Sequence, residues 1–212
     1  MVKQERAVRT RQALLRAAAE EFDRCGYDGT SLSRISTAAG LSIGAVTFHF
    51  PSKRQLADAV QEAGRELTVS ALESLIEEPV PALRLVIDLT LEVTRLMEQE
   101  PLVRSAIRLS RERPDTDAWS DAWLPIVRKL LDRAYESGQL RTDALPADVT
   151  TLVEHLTSGA EAYLRSRMGS DPVFESAVAQ LKRVWHLALV GVSAEAAALP
   201  RQTGCPPPAS TD

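Results

Sequence analysis

Two cysteines, Cys25 and Cys205, stand 180 positions apart in surroundings of unlike character. That is too few and too scattered for a disulfide framework or a cysteine metal site. Aromatic residues make up 5% of the 212, and no apolar run approaches the roughly 18 residues of a membrane span. The opening Met1-Val-Lys-Gln-Glu-Arg leads into no apolar core of an export signal. There is no Gly-x-Ser-x-Gly, no phosphate loop and no paired cysteines. Glu154-His155 is the one carboxylate–imidazole neighbour pair, and adjacent helix residues point apart. These absences argue against an enzyme and imply neither a cofactor nor a metal. They leave a protein of the cytoplasm, associated with the nucleoid if it meets DNA, and with no membrane partner.

Negative charge is in excess overall, at −4, but unevenly. Residues 1–54 hold nine Lys/Arg against five acids, a net of +4, whereas residues 55–212 hold 16 against 24, a net of −8. A basic front on an acidic body implies one module that meets polyanions and another that does not. Lys3, Arg6, Arg9 and Arg11 fit either an N-terminal arm along a nucleic-acid backbone or a plain solvated face.

The apolar spacing predicts helix throughout, an all-α fold. Helices are expected from about Val8 to Arg24, Leu32 to Ala39, Ile43 to Phe50 and Lys53 to Leu75. Others follow at Ala82 to Gln99, Pro101 to Ser110, Trp119 to Ser137, Ala147 to Arg167 and Pro172 to Ala197. The tail from Pro200, proline-rich and polar, is expected to be disordered. Within "LSRISTAAGLSIGAVTFHFPSKRQL", Ser31, Ser42 and Ser52 are placed to cap three successive helices, and Gly40 suits the left-handed stop between the two short ones. Two short helices joined by a glycine turn after a longer one make a helix-turn-helix. The second must be short to project its N-terminal end into a major groove.

The stretch "LLRAAAEEFDRCGYDGTSLSRISTAAGLSIGAVTFHFPSKRQL" resembles the DNA-binding region of the TetR family of bacterial repressors. The resemblance rests on Phe22, Gly26-Tyr27, Thr30-Ser31, Ile35, Ala38-Ala39-Gly40, Gly44, His49-Phe50, Ser52-Lys53 and Leu56. By position it implies that Ser31, Ser33, Ser42, Thr47, His49 and Lys53 meet phosphates. It implies that Ile43, Gly44, Ala45 and Phe48 face base edges or pack close to them. Thr47 departs from the family pattern, which has a tyrosine there.

"FHFPSKRQLADAV" and "WLPIVRKLLDRAYESGQLR" are similar to the γ-butyrolactone-type receptors within that family, where a tryptophan opening the second of these helices stacks on the ligand. Trp123 matches it, one turn after Trp119. By itself a tryptophan in an all-α domain is more often core than ligand cover. Thr157 and Gln61 occupy positions that hold the ligand's polar groups in that branch. Their plain alternatives are a hydroxyl bonded to its own helix and an exposed glutamine. The resemblance thus implies a homodimeric repressor of a pseudo-palindromic double-stranded operator, released by a small signal such as a γ-butyrolactone or an antibiotic. Its domains would be 1–56 for DNA, 57–199 for ligand and dimerisation, and 200–212 as tail. The competing readings are a pseudo-receptor that answers to an antibiotic or intermediate, a constitutive repressor with no ligand, and a transcription factor or partner-binding adaptor that has lost its small ligand.

Overall fold

A computed structural model of the chain describes residues 2–77, 79–167 and 175–194, with side chains from Glu5 onward. Among these residues the chain is all-α. Helix α1 is Val2–Cys25, α2 Leu32–Ala38, α3 Ile43–His49, α4 Lys53–Ile76 and α5 Ala82–Gln99. Then come α6 Pro101–Glu112, α7 Leu124–Glu136, α8 Pro146–Arg167 and α9 Ala177–Val192. One isolated antiparallel bridge, Leu140 with Ser193, ties the turn after α7 to the end of α9. The tail from residue 200, the Pro172 start of the last helix and the side chain of Lys3 lie outside the described residues.

Most boundaries fall where the local signals put them, and four do not. The helix expected over Pro172 to Ala197 is α9, which starts at Ala177 after its Ser176 cap and ends at Val192, where Ser193 is extended. The expected helix from Trp119 is a 3-10 turn, Trp119–Ala122, followed by α7. Pro125 sits in the first turn of α7, where its missing N–H costs nothing; deeper in a longer helix its ring would meet the carbonyl four residues back. Helix α6 runs past Ser110 to Glu112, because the residue that Pro114 forces out of helical geometry is Arg113. Helix α1 begins at Val2, a turn and a half before its first apolar signal.

Two apolar cores form. The smaller joins Leu14, Ala18 and Phe22 of α1 to Ile35, Val46 and Phe50, and it also takes in Ala57 and Val60 of α4 and Leu109 of α6. The core that holds the helix-turn-helix thus extends past residue 56 into α4 and α6. The larger core is centred on α5, whose Val86, Leu89 and Val93 meet Leu131, Val153, Trp123 and Trp185. Trp185 donates its N–H to Thr90 Oγ1 at 2.8 Å, and Trp119 to Thr68 Oγ1 at 3.2 Å. Helices α4 and α6 cross at Gly64. A Cβ there would lie 2.6 Å from Ala106 Cβ and 2.8 Å from the Leu102 carbonyl oxygen, so a side chain would force the two helices apart.

Candidate DNA interface and effector site

Local hydrogen bonds shape the helix-turn-helix. Ser31 Oγ accepts from the Arg34 amide and Ser42 Oγ from the Ala45 amide, both at 3.2 Å. Each thereby satisfies one of the amides that a helix start leaves free. Gly40 takes φ +64°, and the Leu41 amide reaches back to the Ser36 carbonyl at 3.0 Å. Ser36 Oγ donates to the Leu41 carbonyl at 2.6 Å and pins the turn from the other side. With Ile35, Val46 and Phe50 buried, α2 and α3 are held rigidly to α1.

The outward face of α3 carries the residues that the sequence nominates. Phe48 is 81% exposed and Ile43 50%; Gly44 and Thr47 lie open beside them. Ala45 and His49 are half-buried, His49 standing edge-on to the Phe48 ring at 5.3 Å. A Cβ built on Gly44 meets only Ser42 Oγ, at 3.9 Å, so nothing within the chain requires glycine there. Ser33 is exposed on α2. Thr47 Oγ1 donates to the carbonyls of Ile43 and Gly44, at 3.1 and 3.3 Å, bonds it must share or give up to reach a phosphate.

Lys53, which the resemblance sets at a phosphate, is already engaged within the chain. Its Nζ donates to the carbonyls of Tyr27 and Thr30, at 2.9 and 3.2 Å, and sits 4.2 Å from the centre of the Tyr27 ring. The ammonium therefore closes the loop before α2 first, with one donor left over for DNA.

A junction that the sequence did not reveal joins this unit to α6. Arg104 Nε donates to Asp23 Oδ2 at 2.8 Å, and Arg108 Nη1 to the Asp23 carbonyl at 2.7 Å. Glu112 accepts from Arg108 Nε at 2.7 Å and from the Tyr27 amide at 2.5 Å. Burial pushes the Glu112 carboxyl up, but these two hydrogen bonds and the charges of Arg108 and Arg111 outweigh it and leave the group below its ordinary range. The partners are some 80 residues apart, and no local pattern announces them.

In the body, the three nominated ligand residues do not converge on an open cavity. Trp123 caps α7 with its ring 2% exposed and 5.8 Å from Trp119, and it lines none of the four main clefts among the described residues. Its Nε1 is buried with no acceptor among those residues. Thr157 is buried and donates to the carbonyls of Val153 and Glu154, the plain alternative. Gln61 is neither an exposed glutamine nor a free ligand contact. It is buried, accepting from Arg113 Nη1 at 2.6 Å and donating to Thr116 Oγ1 at 3.0 Å.

Comparison with known proteins places this geometry. The family model for bacterial regulatory proteins of the tetR family matches residues 14–60, from the buried face of α1 into α4. A TetR regulator of Streptomyces fradiae, tylp, is 31% identical over 91% of this chain and 90% of its own, with a TM-score of 0.62. The chain belongs to the TetR family. A γ-butyrolactone receptor described as ArpA-like superposes with a TM-score of 0.73 at 27% identity, covering 89% of this chain and 90% of that one. The A-factor receptor protein of Streptomyces griseus is 29% identical over 143 residues, 66% of this chain; the match spans about half of that relative's length, 49%. This TetR-family chain is thus a transcriptional regulator, similar to the γ-butyrolactone receptors, and its family is one of regulators and not of enzymes. Among the described residues no helix is long and apolar enough to cross a membrane.

Proposed function

We propose that the protein is a ligand-responsive repressor that binds a pseudo-palindromic operator as a homodimer and is released by a small, mostly apolar signal of the γ-butyrolactone type, controlling secondary metabolism. The observation that carries the DNA half is the face of α3: Ile43, Gly44, Thr47 and Phe48 open on one side, Val46 and Phe50 locked on the other. Methyl and ring carbons there suit thymine methyls, and the bare Gly44 lets the backbone approach base edges. Ser31, Ser33, Ser42, His49 and the spare donor of Lys53 surround that face as phosphate contacts. One seven-residue helix reads only a few base pairs, so two copies are needed, with recognition helices about 34–36 Å apart on DNA.

The second copy has a place to dock. Val184, Leu187 and Val190 of α9 stand exposed, 40%, 76% and 65%, beside Leu156, Ala160 and Tyr163 of α8. For the signal, the Trp119–Trp123 pair supplies aromatic faces. Release follows by linkage: a signal lowers operator affinity only if it binds the DNA-free form better, and a coupling of about 1–3 kcal/mol weakens binding roughly 5–150-fold.

A second reading has one observation in its favour: the close packing of Trp123 suits a constitutive repressor whose pocket has closed. Footprinting on the DNA flanking its own gene, followed by gel-shift titration with synthetic γ-butyrolactones and antibiotics, separates the two. Release by a lactone establishes the receptor. Release by an antibiotic alone makes the protein a sensor of the product. Retention of the complex at saturating concentration of every candidate leaves the constitutive repressor.

A further inference from the structure

The segment 113–119, between α6 and α7, is bound to one stripe of α4. Arg54 Nη2 meets Asp115 at 2.8 Å, and Arg113 meets both Asp58 and Gln61. Gln61 also meets Thr116, Arg65 reaches the Ala118 carbonyl at 3.5 Å, and Thr68 accepts from Trp119. The α4 residues 54, 58, 61, 65 and 68 recur every three or four positions, one continuous face of the helix. Nearly all these ties are polar and side-chain-mediated, and several lie at the surface. Apolar packing is concentrated at the far end, at Trp119. Such a segment can lift without unfolding a helix.

We propose that this segment is the lid of the effector site, a reading that rests on the receptor assignment made above. The lid ends in Trp119, whose ring lies tilted beside that of Trp123 at 5.8 Å between centroids, and the pair is buried while none of the main clefts among the described residues reaches it. The N–H of Trp123 is buried with no acceptor among the described residues, a costly state that an oxygen of an incoming ligand would relieve. The ligand class is therefore an apolar molecule with an acceptor oxygen set to meet Trp123 Nε1. Gln61 and Arg113 serve as the latch, which explains why Gln61 is saturated within the chain and not aimed at a pocket. Arg113 is 6% exposed, yet its anionic partner Asp58 is half in water, so the latch is closed by a hydrogen-bond network and not by a deep ion pair.

Solute quenching of tryptophan fluorescence by acrylamide tests the lid with no ligand present. Trp185, bound to Thr90 elsewhere in the core, contributes a constant background. Arg113→Met cuts its bonds to Asp58 and Gln61 and its contact with the Tyr27 ring, and is expected to raise the open population roughly tenfold, increasing the quenching of Trp119 and Trp123. Asp58→Asn, at an exposed position, and Thr68→Val weaken single ties and should give smaller increases in the same direction. They keep the test alive if the arginine variant fails to fold by circular dichroism. Arg84→Ala, which breaks an unrelated surface pair, should leave quenching unchanged. Stopped-flow association of an alkyl-substituted γ-butyrolactone should then speed up by the same factor as the open population. Quenching that is equal in wild type and all three latch variants overturns the lid, whatever the lactone does. Quenching that rises while wild type binds no lactone sinks the receptor reading and leaves the lid as the cover of the tryptophan pair.

Discussion

Helices α3 and α9 both leave large apolar side chains in water, but in different settings. On α3, Ile43 and Phe48 are set among hydroxyls and an imidazole, with no acidic residue in the helix. On α9, Val184, Leu187 and Val190 stand exposed at every third residue, and Val184 shares a cleft with Leu156, Ala160 and Tyr163 of α8. Base edges alternate methyl groups with donors and acceptors, so a face that reads them mixes carbon with polar groups. A second protein chain offers a contiguous apolar surface, which such side chains can bury. Exposure alone does not distinguish the two; what surrounds the exposed carbon does.

Gly44→Leu breaks the α3 side of the comparison most severely. The space around Gly44 within the chain is open, so circular dichroism and melting should be unchanged while operator binding in gel shifts is abolished. Retained binding would mean that α3 does not approach base edges with this surface. On the α9 side, Leu187→Asp with Val190→Asp should convert the dimer to a monomer in sedimentation, since each places a charge where apolar burial contributes about 1.5–3 kcal/mol. A dimer that survives both charges assigns these side chains to another partner.

Trp123→Ala is expected to lose the lactone response and also about 3–5 kcal/mol of stability, because the ring is core as well as candidate ligand cover. Trp123→Phe is the cleaner probe: operator affinity near wild type and part of the response kept. An undiminished response in the phenylalanine variant would separate the ring from ligand recognition. Lys53→Ala should weaken binding to all DNA sequences alike, with a salt slope shallower by about one unit. Its cage at Tyr27 and Thr30 adds a second effect, a loss of about 1–2 kcal/mol in unfolding experiments. An unchanged salt slope would confine Lys53 to that structural role.

The smallest effect concerns Glu112. Its folded carboxyl lies below the ordinary value, so the stability it contributes is present above the ordinary glutamate range and is lost as pH falls through and below it. Glu112→Gln should therefore lower the melting temperature slightly at neutral pH and flatten the acid limb of stability against pH. Parallel acid limbs for the two proteins would place the acid sensitivity in another carboxylate.

What the sequence made legible was local. Ser31, Ser42 and Ser52 each accept from the amide three residues on, as their positions implied, because a cap needs only its own first turn. Gly40 was legible for the same reason. The all-α fold followed from spacing. Three things were not legible: that Gln61 would find Arg113, that Lys53 would find Tyr27, and that Tyr27 would find Glu112. Each is fixed by how α1 and the loop after it, α4, and α6 with its C-cap pack together, and not by any neighbour in the chain. The burial of Trp123 belongs to the same class, since a 3.6-residue period marks an inward face without saying whether that face meets a ligand or a core.

The crossing at Gly64 has a mechanical meaning. It lies near the middle of α4, 11 residues after Lys53 and 12 before Ile76, so any rocking of the helix about that contact would have arms of about 16 and 18 Å. A tilt of about 5° about that fulcrum moves each end by roughly 1.5 Å in opposite directions, the scale of helix shifts that switch other proteins. Thr68 stands only four residues, about 6 Å, past the fulcrum. A displacement there, beside the tryptophan pair, would therefore reach Lys53 reversed and enlarged about 2.7-fold, at the foot of the loop that Lys53 holds in front of the recognition helix.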